Sequence, residues 1–87
     1  MENMYIVSFN STHHAIKSEK LIIEDGLKAT TLPTPREVTA SCGISIRFEK
    51  DDMDKIKTIL AENKIEYRGI FCISKHEDGT KVAHEIN

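Results

Sequence analysis

Apolar and polar positions follow one another along this chain in blocks, and the period within each block predicts its element. Residues 4–9, Met-Tyr-Ile-Val-Ser-Phe, are rich in β-branched and aromatic side chains and run into the turn-prone pair Asn10-Ser11, which predicts a first strand. Ser11 then suits a helix N-cap. Between residues 12 and 25 the apolar residues Ala15, Ile16, Ile22 and Ile23 return at a seven-residue interval, two helical turns, and Gly26 supplies a left-handed stop. Residues 27–32 read as a second strand, weakened by Lys28 and Ala29 and closed by Pro33 and Pro35. Ile44-Ser45-Ile46-Arg47-Phe48 alternates over its whole length, the pattern of a strand with one buried face. Asp51 or Asp52 opens a second helix, acidic where the macrodipole favours it, with Met53, Ile56, Ile59, Leu60 and Asn63 on one stripe. Residues 65–73 read as a last strand, with Ile65, Tyr67, Phe71 and Ile73 on one side, Cys72 on the other, and Gly69 marking a bulge or a close approach. The polar segment after Ser74 contains the turn pair Asp78-Gly79 and either closes a short extra hairpin with residues 82–86 or frays.

The order strand, helix, strand, strand, helix, strand is the split βαβ pattern. Right-handed crossovers then interleave the two halves into an α+β, ferredoxin-like βαββαβ sandwich: a four-stranded antiparallel sheet with two helices on one face. With 87 residues, 39% of them hydrophobic, the chain has material for one modest core. The expected organisation is a single domain over residues 1–74 and a polar C-terminal tail over residues 75–87.

Charge narrows the partners. Twelve basic against fourteen acidic residues give a net charge of -2, no footprint for nucleic-acid phosphates or an anionic membrane, and no basic aromatic run for stacking bases is present. The apolar stretch 4–9 is too short for a signal-peptide core, so the cytoplasm is the default compartment. Two cysteines, Cys42 and Cys72, are too few and too far apart for a disulfide framework or a C-x-x-C motif and fit free thiols in a reducing compartment.

Cys42 is the candidate for chemistry. It closes a polar loop that begins at the two prolines, carries Arg36, and opens through Gly43 into the alternating strand. In the interleaved order the third strand lies beside the first, whose end leads through Asn10 and Ser11 into helix one, so the thiol is expected near a helix N-terminus. Unpaired amides and the positive end of the dipole stabilise a thiolate and lower a cysteine pKa from about 8.5 toward 7 or below. Arg36 is the candidate anion contact, His13 the candidate proton partner, and Gly43 leaves access for a partner backbone. A thiolate attacks sulfur or selenium and bears it as a persulfide or selenyl sulfide. Beside this stands the plainer reading of Cys42 as a small half-buried filler at a strand start.

Other polar residues add less. His13 and His14 are adjacent on a helix and diverge by about 100°, too far apart in direction to share a metal as an i, i+4 pair does. Neither a metal nor an organic cofactor is expected. Glu19 interrupts the apolar arc of helix one and reaches water or a lysine at its edge, or, if buried, needs a partner such as Arg47. No nucleophilic triad, paired carboxylates or phosphate loop is legible, so the chain is not expected to be an enzyme.

The stretch Pro33-Thr34-Pro35-Arg36-Glu37 through Ser41-Cys42-Gly43, with Ile44-Ser45-Ile46-Arg47-Phe48 after it and Phe9-Asn10-Ser11-Thr12-His13 and Glu19-Lys20-Leu21 before it, resembles the Se/S carrier protein-like family of short bacterial proteins. The resemblance covers residues 5–73, and departs in the longer tail and in the second thiol, Cys72, which leaves open a resolving role. It implies a selenium or sulfur carrier with Cys42 as the chalcogen-bearing group. Such a carrier needs a cysteine desulfurase or a selenium-donor protein to load it and an acceptor protein to unload it. The rival is a regulatory or protein-interaction module of the same fold, using an exposed sheet face and edge strands as its contact surface. A sheet with one uncovered face is also compatible with a homodimer.

Overall fold

The computed structural model describes residues 2–36, 38 and 43–86. The elements run β1 (Glu2–Phe9), α1 (Thr12–Glu24), β2 (Thr30–Pro33), β3 (Ile44–Phe48), a 3-10 turn at Lys50–Asp52, α2 (Met53–Glu62), β4 (Gly69–Lys75) and β5 (Lys81–Ile86). The strands form one antiparallel sheet in the order β2-β3-β1-β4-β5. β1 takes the centre because both of its faces are apolar: Val7 and Phe9 point to one side and Ile6 to the other, all buried.

Both helices pack on the Val7 and Phe9 side. Ala15 and Ile22 of α1 and Ile56 and Leu60 of α2 close a core with Ile46, Phe48, Ile65 and Ile70. The buried stripe of α1 is narrower than the seven-residue repeat implies, because Ile16 and Ile23 are 61% and 52% exposed. Ser18 takes the core position instead, and its hydroxyl is satisfied by donating to the His14 carbonyl at 2.7 Å. On α2 the stripe stops at Leu60. Asn63 is exposed and caps the helix, its amide donating to the Ile59 carbonyl at 2.8 Å. Each helix ends in a pair of crossed backbone bonds, Gly26 to Ile23 with Leu27 to Ile22, and Lys64 to Ala61 with Ile65 to Leu60. The left-handed residue is Gly26 in the first and Lys64, at φ 53°, in the second.

Three expectations change. The sheet has five strands and not four, because residues 76–80 make a turn that brings β5 alongside β4. There Gly79 sits at φ 91° and donates to His76, while the Asp78 carboxylate accepts the Thr80 amide at 3.0 Å and its hydroxyl at 2.6 Å. The second strand is displaced to Thr30–Pro33, where a proline is tolerated because β2 is an edge. The last strand begins at Gly69, and its faces are the reverse of those expected: Ile70 and Cys72 face the helices, Phe71 and Ile73 the other side. Ile65 belongs to the helix cap, so its parity does not carry into the strand.

The helix-free face is closed at its centre. Ile6 is 0% exposed, and Ser8, Ser45 and Ile73 on the same face are buried. Thr34 and Pro35 reach over it from the end of β2: Thr34 Oγ1 meets Ser45 Oγ at 2.8 Å, and Pro35 shares a cavity wall with Met4, Arg47 and Ile73. An open sheet face for dimerisation or docking, as expected from the sequence, is therefore absent from the middle of this sheet.

Candidate functional site

The loop between β2 and β3 is anchored where it leaves and rejoins the sheet. The Thr34 amide donates to the Gly43 carbonyl at 3.0 Å, and the Val38 amide to the Pro35 carbonyl at 3.0 Å, which makes a turn of residues 35–38. Cys42 lies outside the described residues, as do Glu37 and 39–41. Gly43 follows Cys42 in the chain and stands at the end of β3, where Ile44 pairs with Phe9. A β-carbon at Gly43 would sit 3.1 Å from Thr34 Oγ1 and 3.4 Å from the Phe9 carbonyl oxygen. The space beside its α-carbon is thus taken by the chain's own Thr34.

Beyond Phe9 the chain enters α1. Ser11 is the N-cap in extended conformation but makes no side-chain cap bond, and the first turn carries no acidic residue, so α1 itself does not offset the positive end of its dipole. His13 is exposed in that first turn, its ring 6.1 Å from that of half-buried His14. Arg36 is exposed in the 35–38 turn. The β1–α1 junction is held by a residue the sequence reading passed over: the Arg68 guanidinium donates twice to Asn10 Oδ1, at 2.9 and 2.6 Å, and its amide donates to the Ser8 carbonyl at 2.7 Å. An arginine in the connection between a helix and a strand carries no signal of a partner 58 positions away.

Glu19 is half-buried and accepts the Thr31 hydroxyl from β2. Arg47 is not its partner, since Arg47 pairs with Ile6 on the helix-free face. Cys72 is half-buried at mid-sheet on the helix face, opposite Tyr5 and His84. From Cys72 to Ile44 is four residues along the strands and two strands across, roughly 16 Å. A disulfide needs α-carbons within about 7 Å.

The helix-free face holds a cavity of about 500 Å³ lined by Asn3, Met4, Pro35, Arg47, Ile73, Lys75 and Lys81. Three cations meet there on a chain whose net charge is -2. Arg47 also borders a smaller hollow of about 210 Å³ with Lys28, Thr30, Phe48 and Glu49. Lys75 and Lys81 come together only through the β4–β5 hairpin. The legible signal was the Asp78-Gly79 turn with a lysine near each end. Ser8 Oγ, buried on the same face, has no hydrogen-bond partner among the described residues.

Among the described residues no group of three or more His, Cys, Asp or Glu is arranged to hold a metal ion. No helix among them is long and apolar enough to cross a membrane. Over residues 4–72 the chain matches the family described as putative Se/S carrier protein-like, a span that includes the whole β2–β3 loop. No curated protein and no solved structure matches it.

Proposed function

This chain belongs to the putative Se/S carrier protein-like family, and from that membership we propose that it carries sulfur or selenium on Cys42 between a donor and an acceptor protein. Family membership over a span that takes in Cys42 is the observation that carries the reading. The chemistry is exchange. The Cys42 thiolate attacks the terminal sulfur of a donor persulfide, one S–S bond forms as another breaks, and the donor leaves as a thiolate, with no net oxidation. Release to the acceptor repeats the step with the roles exchanged. Selenium follows the same route through a selenyl sulfide. The donor is a cysteine desulfurase or a selenium-donor protein.

Three features support this use of the loop. Its two ends are pinned by the Thr34 amide and hydroxyl, which gives the thiol-bearing segment a fixed base on the sheet. The N-terminus of α1, which has no acidic residue in its own first turn, lies beyond the Phe9 carbonyl that neighbours Gly43, and its positive dipole end favours a thiolate. The strand order β2-β3-β1-β4 with both helices on one side supports a ferredoxin-like fold to which β5 is an addition. The carrier acts in the cytoplasm, where thiols stay reduced, and performs no turnover of its own.

Intact-mass measurement after incubation with a desulfurase and cysteine, or with a selenium donor, tests the proposal. One sulfur or selenium atom is expected on the wild type and on Cys72→Ser, and none on Cys42→Ser. A wild type that gains no chalcogen from either donor, with a thiol unreactive to alkylation near neutral pH, removes the carrier reading.

A further inference from the structure

On the helix-free face Lys75 and Lys81 stand directly opposite each other in the β4–β5 ladder. Like charges in such a cross-strand pair repel and lower the stability of the free protein. Both line the 500 Å³ cavity, with Arg47 at its far side and Met4 and Ile73 on the floor between. The register gives the spacing: Arg47 is opposite Ile6 and Lys75 opposite Glu2, four residues along and two strands across. That is roughly 16 Å between backbones. The long, flexible side chains of Arg and Lys reach into that gap, which Met4 and Ile73 floor with apolar surface. Glu85, on the same face, turns toward Gly69, with Oε2 3.5 Å from the position of a β-carbon there, and Glu2 stands opposite Lys75 in the β1–β4 ladder, on the other side of that strand from Lys81.

We propose that this cavity binds a small organic dianion whose two anionic groups are separated by an apolar stretch, one group on the Lys75–Lys81 pair and the other on Arg47. A single compact oxyanion would reach only one end of the cavity and leave half-buried Met4 without apolar contact. An elongated dianion relieves the lysine repulsion, takes the bidentate fork of Arg47 and covers the floor. Pro35 forms part of the wall, so the occupant lies against the loop that leads to Cys42. The site rests on register and charge alone and does not require Cys42 to be loaded.

Titration of the full chain with succinate, adipate, suberate and sebacate at low ionic strength, followed by amide chemical shifts, reads both spacing and place. Saturable shifts are expected at Asn3, Met4, Ile73, Lys75 and Lys81, with an optimum within the length series. The best dicarboxylate is expected to bind about tenfold more tightly than a monocarboxylate of equal length at matched ionic strength, the worth of a second charged contact. Arg47→Gln and Lys81→Gln, both at exposed positions, each bring it down to the monocarboxylate level, whereas Cys42→Ser leaves it unchanged. Equal binding of mono- and dicarboxylates, shifts spread over lysines elsewhere, or indifference to Arg47→Gln overturns the proposal.

Discussion

Ile6 offers the sharpest test of how this sheet is covered. On a two-layer sandwich with a bare sheet face it would face water, and Ile6→Ala would change stability by no more than about 0.5 kcal/mol. Here Ile6 is 0% exposed on the side away from both helices. Removing three buried carbons forfeits about 2.4 kcal/mol at 0.8 per carbon, and the cavity left behind raises the loss to about 3–4 kcal/mol. Urea unfolding followed by far-UV circular dichroism measures it. With a slope of about 1 kcal/mol per molar for a domain of this size, the midpoint falls by about 3 M. Ile6→Val, losing one carbon, is expected to cost about 1 kcal/mol and keeps both baselines in view. Ile16→Ala, at a position 61% exposed, serves as the control and stays within about 0.5 kcal/mol. A loss below about 1 kcal/mol for Ile6→Ala would show that the helix-free face is open.

Lys64 ends α2 at φ 53°, a conformation glycine adopts without its steric cost, so Lys64→Gly is expected to raise stability by about 1 kcal/mol in the same urea assay. A lower midpoint would contradict the cap geometry. Ser8→Ala removes a buried hydroxyl that has no partner among the described residues, and stability is expected to hold or rise by up to about 1 kcal/mol. A loss larger than that would reveal a bond to this hydroxyl. The Asp78 carboxyl is held below its ordinary pKa by the Thr80 hydroxyl first and the Thr80 amide second. The folded chain therefore binds fewer protons there, and the support Asp78 gives the turn is present above the ordinary carboxylate pKa and fades as pH falls through the lowered one. An NMR titration of Asp78 with the Thr80 amide shift as reporter checks it, and a raised pKa would refute the turn.

β3 and both helices were legible because their periods are long and their ends marked: Gly26 stops α1, and the acidic pair Asp51-Asp52 starts the turn into α2. β4 misled for a physical reason. Its two faces are both apolar, Ile70 and Cys72 on one and Phe71 and Ile73 on the other, so hydrophobicity does not say which face meets the helices. Only the starting point fixes that, and it is set by the Lys64 cap and the Arg68–Asn10 bonds, which are tertiary. At the candidate site the loop and its glycine were readable from local sequence. The cation cluster was not, because Arg47, Lys75 and Lys81 are separated by up to 34 positions in the chain and meet only through register.

The central place of β1 has a consequence for how the molecule comes into being. Its two partners are β3 and β4, so the first strand to be made finds no hydrogen-bonding neighbour until residues 44–48 and then 69–75 have been added. Its Met-Tyr-Ile-Val-Ser-Phe run, apolar on both faces, meanwhile has the composition that pairs indiscriminately when unprotected. A sheet organised this way closes long loops before any strand pairing rewards it, which slows folding and lengthens the exposure of that run during synthesis. The strand that ends as the best-shielded part of the sheet is the one that waits longest for its shield.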